Sequence, residues 1–361
     1  MAGTVLFIGA GDMALRMAAG LLTQGGVDRL ILSDATPRRM AEQVAMLAAC
    51  HDARVALRPL DGCDHRAVAA LLDEVRPDLL VQAASLVGPW SIIGSAHPVI
   101  DHLSRAGIGI QLPNQLPVLM TVMRAARDLG LTCPVANISA PDVTHPVLAA
   151  LGLAPTIGLG NVSMQLLRAR AAWRERRLAS GEEAPPLLRL IGHHSNVYGV
   201  MQARAPSDPA LSTRVHVGEE GARDDALAYE GHGFAPGPIY NVITAAAALP
   251  VLSALLPDGA PLRFSAPAPF GLPGGYPLTI APDVLAFDLP PGVSPGEAIA
   301  LNERLGRQDG IAAIDADGTV HFTQEAAGHA ARADPRLAEP LDPRDLGART
   351  RLLLDIVAAA R

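Results

Sequence analysis

The sequence is poor in aromatic side chains, which make up only 3% of its 361 residues, so Ala, Leu, Val and Ile must fill its core. Cysteine is also scarce. Cys50, Cys63 and Cys133 are scattered and form no CxxC, which excludes a disulfide framework or zinc ribbon and fits a reducing, cytoplasmic setting. No long stretch is uniformly basic and the formal net charge is −7, so no nucleic-acid partner is expected. No apolar run reaches the ~20 residues of a membrane span. The nearest, residues 242–256, contains Pro250 and reads as a buried helix, so no membrane association is expected. No basic leader precedes the first apolar stretch, so a signal peptide is not expected either.

What is present is a globular composition, with 49% hydrophobic and 18% charged residues, at a length that suggests two domains. Strand and helix signals alternate through the first 139 residues. Strands are expected at "TVLFIG", "RLILSD", "ARVALRPL", "PDLLVQAAS", "IGIQLP" and "CPVANIS", with helices between them. Thr36 and Asp64 are expected to cap two of those helices. The alternation implies an α/β, Rossmann-type parallel sheet domain over residues 1–140. An α+β substrate domain with antiparallel strands is expected over 141–335, including a hairpin at "IAAIDADGTVHFT" and long helices over 161–178 and 240–256. A terminal helical segment, 336–361, closes the chain. The clearest linkers are 179–186 and 333–343.

In "GAGDMA", Gly9, Gly11 and Ala14 fill the G-x-G-x-x-G/A pattern between a strand and a helix. Gly9 supplies the turn, Gly11 clears space for a pyrophosphate, and the helix N-terminus offers amides to phosphate. Asp12 and Met13 open that helix. Asp34 ends the second strand, placed to accept bonds from ribose hydroxyls, which favours NAD; Arg38 and Arg39 keep NADP open. Ala83, Ala84 and Ser85 end the fourth strand with small residues, where a cofactor crosses the sheet edge. Asn137, ending the last strand, is expected near the nicotinamide.

A nicotinamide site needs a proton donor, and histidine suits that role near neutral pH. "LIGHHSNVYGV" puts His193 and His194 at a strand end beyond the cofactor domain. His145 and His232 are rivals, and no histidine spacing marks a metal site. Arg168 and Arg170 lie on a helix whose other arginines read as a solvated face. Tyr198, Tyr240 and Asn241 are candidate pocket residues.

The order "GAGDMA", Asp34, "SAPD", "GLGNVSMQLLRAR", "GHHSN", "YNVITAAAALPVL" resembles the NAD-dependent lactate/malate dehydrogenase superfamily. The resemblance implies His194 as proton donor or acceptor, with His193 beside it. It implies Arg168 as the arginine that anchors a substrate carboxylate. It departs in three places. Ala140 stands where the family has asparagine. The aspartate that orients the histidine has no clear match, with Asn161 and Asp142 as candidates. "LVGPWSIIGS" carries Trp90 and no arginine, which implies a substrate larger or less anionic than lactate or malate. The stretch "DHRAVAALLDEVRPDLLVQAAS" also resembles the saccharopine dehydrogenase group.

The leading expectation is an NAD(P)-dependent oxidoreductase acting on the CH–OH or C=O of a small hydroxy acid or related polar metabolite. The alternatives are an opine- or saccharopine-type dehydrogenase acting on C–N bonds and a non-catalytic NAD-binding regulator. A small-molecule substrate and a homodimer are the expected partners.

Overall fold

The computed structural model describes residues 3–93, 95–178 and 186–360, so the first expected linker lies, up to residue 185, outside the described residues. The chain opens with β1 (Gly3–Ile8), α1 (Asp12–Gln24), β2 (Val27–Asp34), α2 (Ala41–Cys50), β3 (Arg54–Pro59), α3 (His65–Val75) and β4 (Leu79–Gln82). Then follow α4 (Pro98–Arg105), α5 (Leu112–Asp128), β5 (Val135–Asn137), α6 (Pro141–Ala150) and β6 (Ile157–Gly158). The six strands form one parallel sheet in the order β3-β2-β1-β4-β5-β6.

The sheet is continuous because its central strands are apolar on both faces. Val5 and Phe7 pack on one side with Leu30, Leu32 and the Ala14–Met17–Ala18–Leu21 stripe of α1. Leu6, Ile8 and Ile31 pack on the other with Leu72 of α3 and Leu116 and Leu119 of α5. Asp64 caps α3 as expected, accepting from the amides of Arg66 and Ala67. Thr36 makes no such cap; its hydroxyl turns back to Asp34, and a 3-10 turn at Pro37–Arg39 precedes α2.

One expected strand is absent. "IGIQLP" forms a 3-10 turn over Ile108–Gln111 that runs into α5. Gly107 has φ +86, and a Cβ there would lie 2.5 Å from the carbonyl oxygen of Asp309; one on Gly109 would lie 2.9 Å from the same atom. The two glycines seat another part of the chain, which breaks the extended run. The sheet takes its sixth strand from Ile157–Gly158 instead, past residue 140.

The second half contains α7 (Val162–Leu178), β7 (Leu188–Ile191), α8 (Val197–Met201), β8 (Arg214–Val217), β9 (Ala222–Arg223) and α9 (Tyr240–Leu255). It continues through β10 (Leu262–Pro267), β11 (Gly275–Ala281), β12 (Val284–Phe287), α10 (Pro295–Gly306), β13 (Ile311–Ile314) and β14 (Val320–Phe322). The strands pair antiparallel as β7-β8-β9, β10-β11-β12 and β13-β14, the last being the expected hairpin. A Gly192–Gly275 bridge joins the first two groups. Finally α11 (Gln324–Ala333) and α12 (Gly347–Ala359) return to the first domain, where Ala330, Leu337, Leu353 and Val357 share a core with Ile100, Leu103 and Ile110. The second expected linker is packed rather than free: it holds a 3-10 turn at Pro335–Ala338, and Leu341 bridges Val320.

Candidate active site

The glycine turn leaves open space beside the uncapped start of α1. Gly9 has φ +105, and a Cβ there would meet the backbone of Ala83 and Ala84 at 2.9 Å, so only glycine lets β1 turn beside the end of β4. A Cβ on Gly11 would meet nothing within 4 Å; the space beside it is open. No side chain caps the N-terminus of α1, which leaves its first-turn amides for an anion. Asp34 ends β2 beside the turn and accepts from the amides of Ala10 (3.2 Å) and Thr36 (2.8 Å). Arg38 and Arg39 are exposed. These residues fit a dinucleotide. Asp12 faces elsewhere: it binds Arg16 at 2.9 Å and accepts from Asn241 Nδ2 at 2.8 Å, tying α1 to α9. The Arg16 hydrogen bond, aided by Asn241, holds its carboxyl below the usual range despite partial burial.

Beyond the turn lies a cavity of about 190 Å³, bordered by Met13 and Ala83–Ser85 from the parallel sheet and by His194, Tyr198 and Tyr240 from the second half. Ile138, Ser139 and Ala140 complete the β5 side. Asn137 does not reach it. Its amide is buried and donates to Ser139 O, Thr144 Oγ1 and His145 Nε2, while its oxygen accepts from Ser139 N; it shapes the turn after β5. Ala140 sits in the left-handed region, at φ +45.

His194 is the chemical centre of the cavity. β7 ends at Ile191, Gly192 is fixed by its bridge to Gly275, and His193 and His194 turn off the sheet. The His194 amide donates to Asp142 Oδ1 at 3.0 Å, and Asn161 holds the other oxygen of Asp142. Its Nδ1 lies 3.0 Å from each oxygen of Asp309. Burial works against the imidazolium, but the charge and hydrogen bond of Asp309, with the charge of Asp142, outweigh it and raise His194 to about 9. Asp309 itself, despite burial, is held far below the usual carboxylate range by the two histidines. Nε2 of His194 has no hydrogen-bond partner among the described residues, on a ring that lines the cavity. His193 is buried, with Nδ1 3.0 Å from Asp309 Oδ2; it lines a separate cavity on the other side.

Arg168 is not brought to this cavity. Its guanidinium is buried and donates to the carbonyls of Glu230 (3.2 Å) and His232 (2.7 Å), over the ring of Phe234. Arg170 lies over Phe264 and Arg177 over Trp173, while Arg176 pairs with Asp224 and Glu230. Where α7 and its leading turn meet the cavity they present Asn161 and Met164. The rival histidines are placed differently as well. His145 is fully buried between Ala268 O and Asn137, and burial lowers it to about 4, so it is a neutral core residue. His232 is exposed.

Asp309 is the site residue that the sequence does not reveal. It lies in "RQDG", a turn with no motif and 115 positions from His194. Of the two candidates for its role, Asp142 holds the His194 backbone and Asn161 holds Asp142. No group of three or more His, Cys, Asp or Glu suited to a metal is found among the described residues. All 29 basic residues are arginine, so no side-chain amine is available for an imine with a carbonyl substrate. No helix among the described residues is long and apolar enough to cross a membrane.

No protein-family model matches the chain, and no curated protein sequence does. Solved structures are similar. One is the lactate dehydrogenase of Cryptosporidium parvum, complexed with lactic acid and NAD, at TM-score 0.51 and 17% identity over 92% of this chain and 98% of that one. Another is the malate dehydrogenase of Archaeoglobus fulgidus in complex with NADH, at TM-score 0.50 and 16% identity over 85% of this chain and 98% of that one. With a Rossmann-like parallel sheet, antiparallel sheets behind it and a histidine turn between them, the chain has the fold of the lactate and malate dehydrogenases.

Proposed function

We propose that the protein is an NAD-dependent dehydrogenase that interconverts the CH–OH and C=O forms of a small polar metabolite. The observation that carries this reading is the position of His194: held by Asp309, it lines the same cavity as the end of β4 and the first turn of α1. Two solved structures of similar fold hold NADH, or NAD with lactic acid. Gly9, Gly11 and Asp34 are the residues that would hold the cofactor, with Met13 and Ala83–Ser85 walling its reactive end. NAD, when bound, supplies or accepts the hydride. His194 supplies the proton to a carbonyl oxygen in one direction and removes it from a hydroxyl in the other. Asp309 fixes the imidazole orientation and favours its charged form. Arg168 stands apart from the cavity, so this reading assigns it no substrate contact.

The test is a pair of measurements on His194→Ala. NADH binding by calorimetry should match the parent, while turnover of any substrate should fall by about 10²–10⁴-fold, the usual contribution of a positioned proton donor. Undiminished turnover would remove His194 from the reaction. Absence of NADH binding in the parent protein would remove the reading as a whole. Keto acids offered with and without an amine distinguish C=O from C=N reduction.

A further inference from the structure

The His194 cavity adjoins a second space of about 450 Å³, and the two share Ile93, Ile108, His194 and Tyr198 as lining. This outer space lies away from the glycine turn, and its wall also carries polar side chains. Gln111, Gln202 and Gln308 contribute amides, and Ser104 and Ser195 contribute hydroxyls. Gln111 is only 2% exposed, yet its Oε1 has no hydrogen-bond partner. The buried Oγ of Ser195 has none either. A buried polar atom left unpaired is costly, and native interiors rarely retain one. Both residues border the outer space, unlike Gln82, Asn114, Arg168, Arg189 and Asn302, which also carry buried polar atoms without a partner.

The charged side chains that line the two spaces are paired. His194 is matched by Asp309 at 3.0 Å. Arg105, at the outer rim, is matched by Asp101 at 2.8 Å. Arg168 is held elsewhere by two carbonyls. A substrate carboxylate would give up its water and meet no unpaired cation among the residues that line these spaces, which is unfavourable. A neutral molecule with hydroxyl or amide N–H donors would meet the acceptors of Gln111 and Ser195.

Building on the dehydrogenase reading above, we propose that this outer space is the substrate compartment, and that it takes a neutral, hydrogen-bond-rich alcohol or ketone rather than a hydroxy acid. Gln111 and Ser195 bind the part of the substrate that does not react, while the reacting carbon lies against His194. The inner space, bordered by Met13 and Ala83–Ser85, is left to the cofactor.

Lactamide and lactate provide the test, because they share a CH–OH and a size and differ in charge; sorbitol extends the neutral series. With the NAD-saturated full chain, kcat/KM for lactamide and sorbitol should exceed that for lactate and malate at least tenfold. Gln111→Leu should raise KM for the neutral probes about tenfold and leave NADH affinity unchanged; Ser195→Ala, a milder change, should act the same way. Preference for lactate or malate, or unchanged KM in both variants, overturns the assignment of the compartment. So does failure of a protein that binds NADH to turn over either neutral probe. The dehydrogenase reading fails separately, through absent NADH binding or an active His194→Ala protein.

Discussion

His194 and Asp309, 115 positions apart in the chain, meet with Nδ1 3.0 Å from both carboxylate oxygens. The pair raises His194 from its ordinary value near 6.5 to about 9. A group whose value is raised by folding stabilises the fold fully below its unfolded value and loses that contribution as pH climbs through its folded value. The melting temperature should therefore decline between pH 6.5 and 9, and Asp309→Asn should flatten that decline. In the proposed reaction, carbonyl reduction needs the charged imidazole, so its rate should hold up to about pH 9 and fall above it. Asp309→Asn should move that limb to lower pH. A limb that stays in place would show that another group titrates.

The two glycines of the turn should separate folding from binding. Gly9→Ala must place a Cβ against the Ala83 backbone at a positive φ, so it should lower stability by more than ~1 kcal/mol. Gly11→Val points into open space, so the fold should survive while NADH binding is lost. Thermal melting and calorimetry read the two effects. A Gly11→Val protein that binds NADH normally would move the cofactor away from the turn.

Ala140 holds a left-handed conformation that costs a residue with a Cβ roughly 1–2 kcal/mol and that asparagine adopts more readily. It borders the cavity, so a larger side chain has room. Ala140→Asn should therefore keep or raise the melting temperature, by a few degrees at most. A clear loss of stability would mean that the asparagine amide finds no partner there.

Arg168 should behave as a structural residue. Arg168→Ala leaves the carbonyls of Glu230 and His232 without a donor and removes the cation from Phe234. The expected cost is about 1–3 kcal/mol of stability, with KM for every substrate unchanged in the folded protein. A KM effect confined to carboxylate substrates would return Arg168 to the site.

The parallel sheet was legible because its signals are local. An apolar strand, a glycine turn and an amphipathic helix announce themselves within 22 residues, as β1, Gly9–Gly11 and α1 do. The histidine turn was legible for the same reason, since two histidines follow a strand and a glycine. Residues 108–113 misled because an apolar run is compatible with a buried strand, and nothing nearby says that Gly107 and Gly109 must make room for Asp309. Arg168 misled because a helix sequence does not tell which face meets the cavity; that face carries Met164. Asp309 was invisible because its role depends on a contact across the whole second half of the chain.

The seating of Asp309 against Gly107 and Gly109 makes the charge of His194 depend on a long-range contact. The pairing of β1 with β2 and β4, as at Val5 with Leu30 and Leu79, spans much shorter separations. The contact that sets the counter-charge of His194 in place joins the turn at 307–310 to residues 107–109, about 200 positions earlier, a closure with a larger entropic cost. Without that contact His194 would lose the carboxylate that favours its charged form, while the glycine turn between β1 and α1 would be left as it is. In the proposed reaction, proton transfer therefore depends on the longer-range closure and cofactor binding on the shorter ones.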